Sequence, residues 1–261
     1  MKISKNTSYF LRGIAMLMVI FSHYFEWGAP FVGSERVAEF VSKLGDPGVG
    51  LFFFLSGYAL YLGYGSKDKK TDKKYLWKRF RNMYFPYLLI ATVIAILGDN
   101  IHETKDVIRL ITGADYWFII IILIIYLAFC LVGKLPKYRV FIMTVFIIDM
   151  SLWLYLHEYA DFWYTANWCF AFGLIWAKIF GDKNCFTLNI KDYVLSFIGK
   201  ISLYIYVLHT YIYFQVVNTE SLMSLNWYVQ LMIAIVLTVI LAFIIEKLLS
   251  TVFNYLERRA K

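Results

Sequence analysis

Tyr116-Trp117-Phe118-Ile119-Ile120-Ile121-Ile122-Leu123-Ile124-Ile125-Tyr126-Leu127-Ala128-Phe129-Cys130-Leu131-Val132 runs for 17 residues without a charge. As a helix it is about 25 Å long, close to the roughly 30 Å hydrocarbon core of a bilayer. Only helices and closed barrels satisfy their backbone in lipid, and the run lacks the period-2 alternation of a barrel strand. It therefore reads as a membrane helix. Seven more such runs flank it, so that the chain shows apolar runs at 9–25, 48–65, 82–98, 116–133, 140–156, 163–180, 194–217 and 226–249. The fold class expected is all-α, a polytopic bundle of about eight membrane helices.

Composition agrees with this reading. Hydrophobic residues make up 61 % of the 261, charged residues 17 %, and the mean hydropathy is +0.61. Soluble domains are near 45–50 % apolar and about one quarter charged, and disordered chains are more polar still, so both classes are excluded. A secreted β-rich protein fails on the lack of alternation. Cys130, Cys169 and Cys185 form no disulfide framework, and no Cys/His cluster points to a metal. The first run follows Lys2 and Lys5 as a signal peptide would. Arg12 interrupts it, however, and no small-x-small cleavage site follows, so it reads as a retained helix.

The Lys and Arg residues orient the bundle. Of 26, 22 fall in segments 1–12, 66–81, 134–139, 178–200 and 247–261, and the alternate segments hold only Arg36, Lys43, Lys105 and Arg109. This positive-inside asymmetry puts both termini in the cytoplasm and makes the chain a multi-pass protein of the cytoplasmic membrane. The net charge of +8 is then mainly a topology signal, with attraction to anionic membrane lipid as its second effect. Nothing points to nucleic acid. No repeat or linker divides the chain, which reads as one domain, 1–261.

Ionisable residues inside spans are costly and mark functional sites by default. Here they are Arg12, His23, Asp149 and His209. Arg12 and His23 are eleven residues apart, some 20° past three full turns, so they share a helix face about 16 Å apart along the axis. Glu26, three residues beyond His23, is placed to pair with its ring. The alternative is that Arg12 snorkels to the headgroups and His23 packs on a backbone carbonyl. Ser202 and His209 again share a face, with Tyr206 and Tyr213 widening a polar stripe; an interhelical hydrogen-bond ladder explains the tyrosines better than the histidine. Lys78, Arg79 and Arg81 form either a stop-transfer cluster or a phosphate cradle. Gly50 and Gly57, seven apart, permit close packing of a neighbour. Asp149 is either a proton relay or paired with a hydroxyl. His102 and His157 read as solvated loop residues.

These features occur in an order that resembles the acyltransferase 3 family, multispan membrane enzymes that modify cell-surface carbohydrates. The resemblance is carried by Leu11-Arg12-Gly13-Ile14-Ala15 leading to His23, by Gly48-Val49-Gly50-Leu51-Phe52-Phe53-Phe54-Leu55-Ser56-Gly57-Tyr58, by Lys78-Arg79-Phe80-Arg81 running to Pro86, and by Ile201-Ser202-Leu203-Tyr204 to His209. Tyr116-Trp117-Phe118 adds a weaker match. The chain shows fewer spans than is usual there, with the shortfall between the fourth and seventh runs.

The resemblance implies transfer of an acyl group, usually acetyl, from cytoplasmic acyl-CoA to an outward-facing hydroxyl of a carbohydrate or glycolipid. By position it makes His23 the catalytic histidine and Arg12 its partner, with Glu26 as the orienting group the spacing suggests. Lys78, Arg79 and Arg81 would bind the CoA phosphates. His209, Tyr206, Ser202, Ser56 and Trp117 would line the substrate path. Acetyl-CoA would be a co-substrate, with no tightly bound cofactor and no metal. The sequence leaves oligomeric state and acceptor open. A transporter or flippase would use the same buried polar residues, but it predicts inverted repeats and broken helices, and only Pro86 looks intramembrane. A non-catalytic membrane partner is the third class.

Overall fold

The computed structural model describes residues 2–28, 30, 32–64, 69–132, 135, 137–181 and 187–259. Cys185 and the side chains of the basic run Lys67 to Lys74 lie outside them. The elements, in order, are β1 (Lys2–Ile3), α1 (Lys5–Gly28), α2 (Glu35–Ser42), α3 (Gly45–Gly63), α4 (Lys69–Leu97), α5 (Thr104–Thr112), α6 (Trp117–Val132) and α7 (Arg139–Leu156). They continue with a 3-10 turn (Asp161–Trp163), α8 (Trp168–Phe180), β2 (Thr187–Leu188), α9 (Tyr193–Lys200), α10 (Ser202–Val217), α11 (Glu220–Met223) and α12 (Trp227–Arg259).

Every apolar run of the sequence meets a helix, but the runs are not equivalent. Four helices, α1, α4 from Tyr75, α7 and α12, are long and apolar enough to cross a membrane alone, and the count rises to six if each of two bent pairs is one span. One bent pair is α5 with α6, at 62°. The other is α9 with α10, at 77°. The run at 194–217, read from sequence as one helix, is therefore broken at Ile201. The run at 163–180 shortens to the 13 residues of α8, and α3 opens on Gly45, Asp46 and Pro47 before its apolar stretch begins.

The helices are mostly exposed on their outer sides, where Leu127, Leu131, Phe141, Leu152, Met232 and Ile240 carry the apolar surface that lipid requires. Asp149 is exposed on α7 among these residues. The structure is not purely helical. β1 pairs in parallel with β2, Lys2 opposite Thr187 and Ile3 opposite Leu188. Thr7, wholly buried, donates to Leu188 O at 2.7 Å and accepts from Ile190 N at 2.9 Å. The N-terminus is thus tied to the chain just before α9.

Two glycine contacts set the close approaches. α1 crosses α9 so tightly that a Cβ on Gly13 would collide with Leu195 O, and one on Gly199 with Tyr9 O. α3 crosses α8 in the same way, Gly57 against Phe170 O and Gly173 against Phe54 O. These are the small-residue contacts that let membrane helices touch backbone to backbone. The α9 break lies beside the first of them. With Gly199 pinned against α1, Ser202 Oγ donates to Gly199 O at 3.1 Å and α10 starts in a new direction.

Replacing Gly57 by Val should lower the stability of the detergent-solubilised protein by about 1–3 kcal/mol, the usual cost of overpacking. Leu131→Ala, on the exposed face of α6, should leave it nearly unchanged. Thermal unfolding of the two variants beside the parent measures the difference.

Candidate functional site

The helix ends bearing the sequence's basic residues converge on one cavity of about 610 Å³, within the range of about 300–1,000 Å³ typical of small-molecule sites. α1 contributes Tyr9, Arg12 and Val19, α3 contributes Ser56, and α4 contributes Tyr75, Lys78, Arg79 and Arg81. Tyr126 comes from α6, Lys200 from α9, Ser202 and Tyr206 from α10, and Glu246, Ser250, Phe253 and Asn254 from α12. Five cationic side chains face one carboxylate, so the cavity favours anions.

The arginines are held by aromatic rings and hydroxyls. Arg79 stands over the Tyr75 ring at 5.1 Å and donates to Tyr126 Oη at 3.4 Å. Tyr75 is itself fixed by donating to Ala59 O at 2.8 Å. Arg12 lies among Tyr9, Tyr75, Tyr126 and Arg79, close enough to Arg79 for the two guanidinium groups to repel. Arg81 lies over Phe253 at 4.9 Å and donates from Nε to Asn82 Oδ1 at 3.3 Å. Two guanidinium groups crowded together among tyrosines form a receptor for negative charge, because an anion between them removes the repulsion.

Beyond the cavity is a second cluster. His23 Nδ1 lies 2.8 Å from His209 Nε2, with the rings within 8° of parallel. His209 Nδ1 lies 2.7 Å from Tyr206 O. Tyr24 donates to His209 O at 3.1 Å, and the Trp27 ring stacks on His23 with centroids 5.3 Å apart. His209 is 2 % exposed and His23 is half-buried. Neither histidine lines the cavity. The link is Tyr206, which does line it and whose ring centroid is 6.0 Å from that of His209.

The sequence-stretch residues thus divide. Arg12, Lys78, Arg79, Arg81, Ser56, Ser202 and Tyr206 meet at the cavity. His23 and His209 meet each other. Glu26, expected to pair with the His23 ring, is exposed, and the ring bond goes to His209 instead. Trp117 packs with Phe162 and Trp163 and stays off the cavity wall. His157 stacks on Trp153 at 4.2 Å at the surface. Sequence reasoning passed over Tyr75, Tyr126 and Lys200. The signal for Tyr126 was present, as it is the one hydroxyl in the otherwise apolar α6.

Such an arrangement, an apolar helical bundle with a basic cavity and a histidine pair past it, is that of a membrane protein whose cavity favours negative charge. The acyltransferase 3 family model, described as an acyltransferase domain, matches residues 10–184, more than half of the chain. The chain belongs to this family and is a membrane acyltransferase. No curated protein and no solved structure matches it.

Proposed function

We propose that the protein transfers an acetyl group from cytoplasmic acetyl-CoA to a hydroxyl of a carbohydrate or glycolipid on the outer side of the cytoplasmic membrane. The observation that carries this reading is the basic cavity, which ends at Tyr206 with the paired imidazoles just behind it, in a chain of the acyltransferase family. The carbohydrate acceptor follows from the resemblance to enzymes of the cell envelope.

The cavity suits acyl-CoA chemically. Lys78, Arg79, Arg81 and Lys200 would meet the phosphates, and Val19, Phe52, Phe118 and Ile122 would flank the pantetheine arm. Arg12 lies about 16 Å below His23 along α1. That exceeds the reach of its side chain to a thioester held at the imidazole, so Arg12 belongs to the arm or phosphate end. Ser202 and Tyr206 would line the way to the histidines. Glu26 and Trp117 are given no part.

The chemistry asks for a base near neutrality, the province of histidine. A ring nitrogen of His23 takes the proton of the acceptor hydroxyl while that oxygen adds to the thioester carbonyl carbon. The tetrahedral intermediate then collapses, the carbon–sulfur bond breaks, and the sulfur leaves with the proton from His23. The products are the O-acetyl ester and free CoA thiol. Both termini would be cytoplasmic, with eight crossings supplied by α1, α3, α4, α6, α7, α8, α10 and α12. The flippase reading asks for broken helices, which the two bent pairs supply, but the family match favours acyl transfer.

Three outcomes are expected. His23→Ala should cut transfer of radiolabelled acetyl from acetyl-CoA to surface carbohydrate in membrane vesicles by at least about 10²-fold, with unchanged membrane insertion. Normal transfer would end the proposal. Arg79→Gln should raise the KM for acetyl-CoA by about 10–100-fold, the loss of about 1.5–3 kcal/mol of charged hydrogen bonding, with a smaller change in kcat. Cysteines introduced at Thr219 and at Ser250 should react with an impermeant maleimide from opposite sides of the membrane.

A further inference from the structure

We infer that His209 is a positioning residue that fixes the tautomer of His23, leaving Nε2 of His23 as the nitrogen that exchanges protons with the reacting groups. The inference rests on the reading of His23 as the base and extends it to one atom.

The argument starts from an acceptor that cannot donate. Tyr206 O is a backbone carbonyl, so the 2.7 Å contact with His209 Nδ1 requires the proton on that nitrogen. His209 is 2 % exposed, with rings of His23, Tyr24, Trp27 and Tyr206 around it. No carboxylate bonds it among the described residues. A charged imidazolium there would lack a counter-ion in an apolar enclosure, so His209 is neutral. Its Nε2 then carries a lone pair and can only accept. At 2.8 Å the donor has to be His23 Nδ1–H. A neutral His23 with its proton on Nδ1 has its lone pair on Nε2. The direction of every bond in the chain from Tyr206 O to His23 is thereby set by one peptide carbonyl.

This chain does two jobs. In the resting state it prevents His23 from flipping or holding its proton on the reacting side. When His23 Nε2 takes the hydroxyl proton, the Nδ1–H···Nε2 bond becomes charge-assisted and strengthens at the moment charge appears on the ring. His209 does so without titrating, since it only accepts. The stacked Trp27 and the Tyr24 hydroxyl on His209 O hold the two rings in register. A carboxylate is the commoner partner for a catalytic imidazole. A neutral imidazole buried in a membrane bundle avoids placing a fixed negative charge there.

The test uses the full chain labelled with 15N-histidine. There are four histidines, and loss of a signal in His23→Ala assigns that residue. We expect the parent protein to show His23 protonated on Nδ1 and bare on Nε2. His209→Phe should move the proton of His23 to Nε2 and lower kcat for acetyl transfer to vesicle carbohydrate by about 10²-fold, with KM for acetyl-CoA within about twofold. His209→Gln, whose amide oxygen lies near the position of the imidazole Nε2, should keep the Nδ1 proton and restore at least about a tenth of the parental rate. A His23 proton on Nε2 in the parent, or the same tautomer and rate in the Phe and Gln variants, would overturn the inference. If the Phe variant fails to insert, the parental tautomer and the Gln variant still decide. Full transfer by His23→Ala would instead remove the acyltransferase base while leaving the tautomer result standing, so the two failures are distinguishable.

Discussion

The contact between α1 and α9, backbone against backbone at Gly13 and Gly199, is the constraint on which the rest depends. It holds the end of α9 next to the break at Ile201, from which α10 sets off at 77° beside α1. Only with that approach can a ring on α10 come within 2.8 Å of a ring on α1. The N-terminal strand pairing and the Thr7 bonds to Leu188 and Ile190 reinforce the same junction from below. A residue as small as glycine at two positions therefore bears on a site about 15 Å away along α1.

Polar groups in this bundle are partitioned by where they can be satisfied. Buried and half-buried tyrosines reach across to backbone carbonyls: Tyr75 to Ala59, Tyr87 to Leu110, Tyr116 to Val207 and Tyr24 to His209. Such bonds cost little in lipid because a carbonyl accepts two donors. Arg12, Arg79 and Arg81 collect at the cavity, whereas buried Arg139, away from it, donates to Tyr64 O at 3.0 Å and lies over the Tyr61 ring. The cavity gathers five of the chain's cationic side chains against one carboxylate, and that sets its charge sign.

The fold was legible where the code is one-dimensional. Runs without charge become helices in lipid, and Arg12 and His23 share a face because the helix period puts them there. The family could be read from those residues in order. What was not legible required knowing which helices touch. Gly199 looks like any helical glycine until Tyr9 O is found against it. No proline marks the α9–α10 bend, and its one sequence signal is Gly199-Lys200 just before Ile201. Glu26 sits at the right spacing from His23, but the i+3 position on α1 faces outward, while the true ring partner is 186 residues away. The short amphipathic helices were within reach. α5 has the reciprocal cap of Glu103 and Asp106 at its start and a left-handed Gly113 at its end.

The family match stops at residue 184, and the site does not. His209 and the carbonyl that orients it lie on α10, and Lys200, Ser202, Tyr206, Glu246, Ser250, Phe253 and Asn254 complete the cavity wall. Without α9 to α12, His23 would keep Trp27 but lose its ring partner His209, and the arginines would face an open side. A basic group in a groove open to lipid or water is screened or misplaced, whereas in a closed cavity its field acts on the ligand. The matched segment supplies His23 and most of the cavity's cationic side chains. The last third of the chain supplies much of the cavity wall and the ring partner of His23, so the two parts build one site even though sequence similarity marks only the first.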